Sequence, residues 1–416
     1  MDHFTYRHGE LACEGVSLRA LADRVGTPTY VYSKAALLAA FTAYDRAFAD
    51  VPHLVCYSVK ANSNLGVLAT LAQAGAGADI VSGGELFRAL RAGVPPRKII
   101  FSGVGKTREE IRDALKADIL LFNVESLSEL RVLDEVGREL GVRAPIALRV
   151  NPDVDPQTHP YIATGLKTSK FGIPIAQAES AYAEAARLPG VQVVGAQMHI
   201  GSQLTKTSPF ADATARLAAL VRALRERGLD MRFVDVGGGL GIRYRDETPP
   251  AHAELARVVV APLRALGVTV LLEPGRSVVG NAGALLTRVL YRKETPDKRF
   301  VVVDAAMNDL IRPAFYDAFH EIRPVSEARR SAPVERADVV GPICESGDFL
   351  AKDRDLARPE EGDVLAVMSA GAYGFAMASN YNTRPRAAEV LVDGERYTIV
   401  RRRETYEDLV AGETLV

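Results

Sequence analysis

The chain has 416 residues and a mass of 44.9 kDa; 48% of the residues are hydrophobic and 25% charged, a globular composition that excludes disorder, collagen-like repeats and coiled coil. Lys and Arg number 51 against 52 Asp and Glu, for a formal net charge of -1, which leaves no basic surplus for nucleic acid or an anionic membrane surface. Cys13, Cys56 and Cys344 are odd in number and far apart, the N-terminal MDHFTYRHGE has no apolar run, and no stretch reaches the roughly 18 apolar residues of a membrane span, so a soluble cytoplasmic protein is expected.

At about 150 residues per domain the length allows two or three domains, or one barrel of about 250 residues with a companion. An isolated strand, TPTYVYS (27–33), comes first. An alternation of short Val/Ile/Leu-rich runs with longer amphipathic segments then begins. The runs are LVCYSVK (54–60), ADIVS (78–82), KIIFSG (98–103), DILLFNV (118–124), PIALRVN (145–151), VVGAQMHIGS (193–202), RFVDVGG (232–238) and TVLLEPG (269–275). Between them ESLSELRVLDEVGREL (125–140), IAQAESAYAEAARL (175–188) and PFADATARLAALVRALRERG (209–228) read as helices. Parallel strands buried on both faces look continuously apolar and need crossover helices, so eight such units predict an α/β fold, a TIM (β/α)8 barrel over 34–282. After about residue 283 the runs ALLTRVLYRK, RFVVVD, ADVVGPIC, DVLAVMS and AEVLVDGERYTIVRRR lack long helical partners. They predict a second, all-β domain, sandwich- or barrel-like, over 283–416 with residues 1–33 joined to it.

In a barrel the working residues lie where strands end. Those ends carry Lys60, Ser82, Gly103, Asn123, Asn151, His199, Gly237 to Gly239 and Glu273. Taken singly, each has an ordinary reading as a residue surfacing at a strand end. Lys60 presents a primary amine that can be a solvated charge or can form a Schiff base. Gly237-Gly238-Gly239-Leu240-Gly241 is either a tight turn or an anion nest, and its place after strand seven favours phosphate. Glu273-Pro274-Gly275-Arg276-Ser277 adds backbone donors and sets a carboxylate near a guanidinium. A phosphate site, an amine at strand one and an acid at strand eight together suggest pyridoxal phosphate.

YSVKAN (57–62), HIGSQ (199–203), GGGLGI (237–242), EPGRS (273–277), MNDLIRPAFYDAFHEI (307–322), GPICESGDFLA (341–351) and GAYGFAMASNYN (371–382) resemble, in order and spacing, the diaminopimelate decarboxylases, fold-type III pyridoxal-phosphate enzymes that make lysine from meso-diaminopimelate. The resemblance runs from about residue 20 to the end. It implies that Lys60 carries the cofactor as an aldimine, that Glu273 partners the pyridine nitrogen, and that His199 stacks on the ring. It places the phosphate on Gly238, Gly239, the backbone of Gly275 and Arg276, and the hydroxyl of Tyr373, with Ser202 as an optional helper. Arg276, Arg312 and Tyr316 match positions that hold a substrate carboxylate, Tyr373 also lies by the substrate, and Glu345 matches the anion for the distal ammonium. Cys344 matches the residue that returns a proton to the α-carbon. A thiol with a reference pKa of about 8.5 is mostly protonated at neutral pH, as that acid should be.

Cys344, Glu345 and Tyr373 fall in the β domain, and in the family Cys344 and Glu345 come from the other subunit, so a homodimer with shared sites is expected. Cys13 and Cys56 read as small buried hydrophobes. GLKTSKFG (165–172) reads as a lid. The competing readings are a fold-type III decarboxylase of ornithine, arginine or carboxynorspermidine, and a silent cofactor-binding homologue. Glu345 with Arg312 argues against the first, and the retained Lys60, Cys344 and Glu273 against the second. The seven histidines make no metal-binding cluster, so no metal is expected.

Overall fold

The computed structural model describes residues 3–154 and 170–416. Residues 165–169 of the predicted lid lie outside them. His53–Ser58, Gly77–Ile80, Ile99–Phe101, Leu121–Val124, Ala144–Asn151, Val191–Gln197, Phe233–Asp235 and Thr269–Leu272 pair in parallel, each with the next. The last pairs with the first, so the sheet closes into the expected eight-stranded barrel. Cys56, Ile100, Leu121, Ala147, Val194 and Leu271 meet in one buried cluster, which is why these strands read as unbroken apolar runs.

The observed strands stop short of the predicted ones. The first ends at Ser58, and Lys60 sits in the 3-10 turn Val59–Ala61 that follows. Ser82 does not face the chemistry: its hydroxyl caps the helix Gly83–Arg91 by accepting from the Glu85 N–H at 3.2 Å. Other helices start by the same rule, Arg108–Lys116 behind a Thr107/Glu110 capping box and Leu127–Leu140 behind Ser126. The Lys106 side chain is buried and spends its three N–H donors on Gly103 O at 2.8 Å, Asn123 O at 2.7 Å and Glu129 Oε1 at 2.7 Å, tying the loop after strand three to strand four and the helix that follows it.

The chain divides into two compact units. One comprises Ala39–Ile242 and Glu247–Val278 and holds the barrel; the other comprises Met1–Leu38, Arg243–Asp246 and Val279–Val416. Residues 34–38 side with the second unit for a local reason. Lys34 pairs with Asp393 at 2.7 Å, and Glu14 Oε1 accepts the Ala35 N–H at 3.0 Å. Arg243 is held there through its carbonyl, which accepts from Asn281 Nδ2 at 3.1 Å.

The second unit is built on strands. The 12-residue Gly283–Glu294 runs antiparallel to Thr29–Ser33, to Val364–Val367 and to Arg299–Val303. Thr29–Ser33, the isolated strand of the sequence, is also parallel to Ala388–Asp393, and Arg299–Val303 is parallel to Val334–Val340, so the sheet is mixed. Its helices are short; the eight-residue Leu18–Val25 packs Leu18 and Leu21 against Val31, Leu286, Ala366 and Val390. No helix among the described residues is long and apolar enough to cross a membrane.

Candidate active site

Every barrel strand brings a polar group to its C-terminal end. In order they are Ser58 with Lys60, Asp79, Ser102, Asn123, Arg149, Gln197 with His199, Asp235 and Glu273. Strand register makes neighbours of some: Asp79 lies opposite Ser58, and Gln197 lies opposite both Arg149 and Asp235. Lys60 Nζ donates to Asp79 Oδ2 at 3.1 Å, and the Ser58 hydroxyl, 2.7 Å from the same oxygen and 2.9 Å from Glu273 O, bridges the first strand to the eighth. Glu273 Oε1 accepts from Ser102 Oγ and from Asn123 Nδ2, both at 3.1 Å, and Oε2 from Gln197 Nε2 at 3.3 Å. Asn123 Nδ2 also donates to Asp235 Oδ2 at 2.9 Å. Asp79, Asn123, Gln197 and Asp235 are all fully buried.

Three carboxyls in one buried network cannot all ionise cheaply. Burial, then the charges of Asp235 and Asp79, push Glu273 well above the usual carboxylate range, with Lys60 pulling the other way. Burial raises Asp235 to about 6 against its hydrogen bonds from Glu273 and Asn123. Burial and the neighbouring acids therefore favour the neutral form of Glu273, and a facing cation favours the ionised one. Among the described residues Asp79 Oδ1, Asn123 Oδ1 and Gln197 Oε1 have no hydrogen-bond partner, so the network retains acceptor capacity.

The glycine run has a steric cause. Gly237 and Gly239 have φ of +68° and +114°, and a Cβ on Gly238 would lie 2.1 Å from Glu273 O. The tight-turn reading therefore holds, and the turn leaves the Gly238 N–H aimed at His199 Nδ1, 3.3 Å away. That contact makes Nδ1 the acceptor and puts the ring proton on Nε2. Burial, then Arg149 and Lys60, hold the His199 pKa well below 6.5, so the ring is neutral. Gly275 is required too, since a Cβ there would meet the Ala61 and Ser58 Cβ atoms at 3.0 Å. Arg276 is buried and donates from Nε at 3.3 Å and Nη2 at 3.2 Å to Ser202 Oγ.

The remaining sequence candidates lie in the second unit. Arg312 opens the short helix Arg312–Tyr316, is buried, and lies over the Tyr244 ring at 4.6 Å with Nη1 2.9 Å from His320 Nε2. The Tyr316 ring packs edge-on to Phe315 at 4.7 Å. Cys344 and Glu345 are exposed, the backbone N–H of Cys344 donates to Asn382 Oδ1 at 2.7 Å, and the Glu345 carboxylate accepts from the Tyr381 phenol and raises the pKa of that phenol. Tyr373 is half-buried at φ +56°. Cys13 and Cys56 are buried.

Sequence reasoning missed Asp79, Arg149, Gln197 and Asp235, and with them Glu125, whose Oε1 accepts from Arg149 Nη1 at 2.6 Å in a buried pair. A signal existed in ADIVS, IALRV, GAQMH and FVDVG: one polar residue near the end of an otherwise apolar strand.

Residues 34–280 match the family described as pyridoxal-dependent decarboxylase, pyridoxal binding domain. The diaminopimelate decarboxylase of Pseudomonas aeruginosa is 60% identical over 416 residues, covering 100% of both chains. Among solved structures, that of the M. jannaschii diaminopimelate decarboxylase in complex with L-lysine is 41% identical with a TM-score of 0.94, over 100% of this chain and 98% of that one. The Helicobacter pylori enzyme complexed with L-lysine is 43% identical with a TM-score of 0.91, over 94% and 98%. With its barrel, its lysine and its buried acid in place, this chain belongs to the diaminopimelate decarboxylases, pyridoxal-phosphate-dependent carboxy-lyases.

Proposed function

We propose that the chain decarboxylates meso-2,6-diaminopimelate to L-lysine and CO2, the last step of lysine biosynthesis, as a cytoplasmic homodimer whose two active sites are shared between subunits. The observation that carries this reading is the meeting of Lys60 with a buried acid network ending in Glu273 at one end of the barrel. The residues fit pyridoxal phosphate: a primary amine, a buried carboxyl whose ionised form a facing cation favours, and glycine backbone packed too closely for side chains. When bound, the protonated pyridine ring accepts the electron pair that departing CO2 leaves on the α-carbon.

Lys60 binds the cofactor through its amine, and Asp79 holds that amine in place. Glu273 binds the ring nitrogen as a carboxylate and keeps it protonated. His199, neutral and fixed by the Gly238 N–H, packs on the ring without adding charge. Gly239, Gly275, Arg276 and Tyr373 hold the phosphate through backbone N–H groups and a hydroxyl, and Gly238, whose N–H goes to His199, lines the approach to it without a side chain. Arg276, Arg312 and Tyr316 bind the distal carboxylate of the substrate beside Tyr373, and Glu345 binds its distal ammonium. Cys344 returns the proton to the α-carbon. Its exposure and that of Glu345 suit residues completed by another subunit. The L-lysine in the two solved relatives is what such a reaction releases.

The test is a decarboxylation assay on stereochemically defined substrates with added pyridoxal phosphate. CO2 and L-lysine from meso-diaminopimelate are expected; preference for ornithine, or cofactor binding without turnover, overturns the reading.

A further inference from the structure

His320 is fully buried, has no place in the chemistry described above, and yet touches one of its residues. Its Nδ1 lies 2.8 Å from Met368 O. A carbonyl oxygen only accepts, so Nδ1 carries the proton. Its Nε2 lies 2.9 Å from Arg312 Nη1, and a guanidinium only donates, so Nε2 is the acceptor. Both partners thus select the same neutral tautomer.

The imidazole is anchored from three further directions. The Met368 N–H donates to Glu321 O at 2.8 Å, and Ile322–Pro324 pairs antiparallel with Val364–Val367, so the segments carrying the histidine and its carbonyl are stitched together. Arg354 Nη1 donates to His320 O at 2.8 Å. The ring stands edge-on to Tyr244 at 5.5 Å and 80°, and the same Tyr244 ring carries the Arg312 guanidinium on its face at 4.6 Å. Arg312 itself opens a five-residue helix and has its own backbone to supply only one end of a long, rotatable side chain.

We infer that His320 is a positioning residue for substrate specificity. It accepts one N–H of Arg312 and so aims the rest of the guanidinium at the distal carboxylate of the substrate. The inference rests on the proposed role of Arg312. It makes recognition of the distal carboxylate depend on a residue that never meets the substrate, because a guanidinium binds a carboxylate best through two parallel N–H donors, and a tilt of the plane loses one of them.

The test uses the holoenzyme and steady-state kinetics with meso-diaminopimelate. A hydrogen bond to a charged group is worth about ten- to a hundred-fold in binding, so His320→Leu should raise KM by about that factor and leave kcat within about threefold. His320→Gln, which restores an acceptor near Nε2, should recover most of the KM. In an Arg312→Leu background His320→Leu should change KM less than twofold, because the effect runs through the guanidinium. An unchanged KM in His320→Leu, an equal factor in both backgrounds, or a loss confined to kcat overturns the inference. Lack of turnover by the unsubstituted protein would instead overturn the proposed function. A second measurement is independent of activity and of whether His320→Leu folds. Nitrogen-15 histidine spectra of the native protein, with His320→Gln for assignment, should show one buried ring protonated at Nδ1 and bare at Nε2; the opposite tautomer overturns the inference.

Discussion

The barrel unit and the β unit hold their candidate residues in opposite ways. In the barrel Asp79, Asn123, Gln197, Asp235 and Glu273 are buried, share hydrogen bonds and shift one another's charge. In the β unit Arg312 is buried and fixed, but Cys344 and Glu345 stand exposed on a short loop after Val334–Val340. The barrel groups are part of the fold, so changing one disturbs both charge and packing. The exposed pair contributes little to folding, so what a substitution there costs is function alone.

The sharpest way to break the comparison is at Lys60. Lys60→Ala should lower CO2 release by about 10³-fold or more, since Lys60 is the amine that Asp79 holds beside the acid network, and should abolish the absorbance of a cofactor bound to the protein through an imine, together with its fixation by borohydride. Retained absorbance in the variant would place the cofactor on a different group. Cys344 is the counterpart. Cys344→Ala should lower kcat by about 10²- to 10⁴-fold, as loss of a general acid does, while changing stability by less than about 0.5 kcal/mol in a denaturant melt. Mixing Lys60→Ala with Cys344→Ala protein should restore part of the activity through hybrid sites; no recovery after demonstrated subunit exchange would remove the shared-site proposal.

Two of the barrel's residues were legible from their place at the strand ends. Lys60 and Glu273 lie where apolar runs end, and the runs stand out because parallel strands are buried on both faces. Asp79, Arg149, Gln197 and Asp235 were not legible, because each sits alone inside such a run and looks like a lapse in it. Their meaning appears only when strand register sets Gln197 against Arg149 on one side and Asp235 on the other. The pairing of His320 with a carbonyl 48 residues away is equally invisible along the chain. The glycine run was read with two causes open, and the close approach of Gly238 to Glu273 O supplies the steric one.

Within the barrel the shared charge of the acids can itself be tested. Asp235 helps raise Glu273, so Asp235→Asn should lower the Glu273 pKa and ease its ionisation. Apoenzyme titrated with pyridoxal phosphate should bind more tightly as pH rises through the Glu273 pKa. In Asp235→Asn that rise should come about one pH unit lower, which is about tenfold in affinity at a fixed pH within the window. An unmoved profile would mean that Asp235 does not set the charge of Glu273.

The β unit offers a buried acid with no such task, and it separates burial from function. Asp309 is buried, its Oδ2 accepts the Ala306 N–H at 3.0 Å, and burial raises its pKa to about 7. The ordinary value is 3.8, so between about pH 4 and pH 7 the folded chain holds a proton that the unfolded chain has released. Stability then falls as pH rises through that window, and the loss is complete once the folded-state carboxyl ionises. Asp309→Asn keeps an acceptor for Ala306 and cannot ionise. Between pH 6 and pH 8 the unsubstituted protein should therefore lose roughly 1 kcal/mol more stability than the variant does, read from denaturant midpoints at both pH values. Glu85, raised to about 7 in the barrel unit, titrates in both proteins and cancels from the difference. Turnover should not change, since Asp309 is in neither the acid network nor the Arg312 cluster. An equal pH slope in the two proteins would show that Asp309 stays ionised when buried, and a fall in kcat would show that the β unit's buried acid, like the barrel's, belongs to the chemistry.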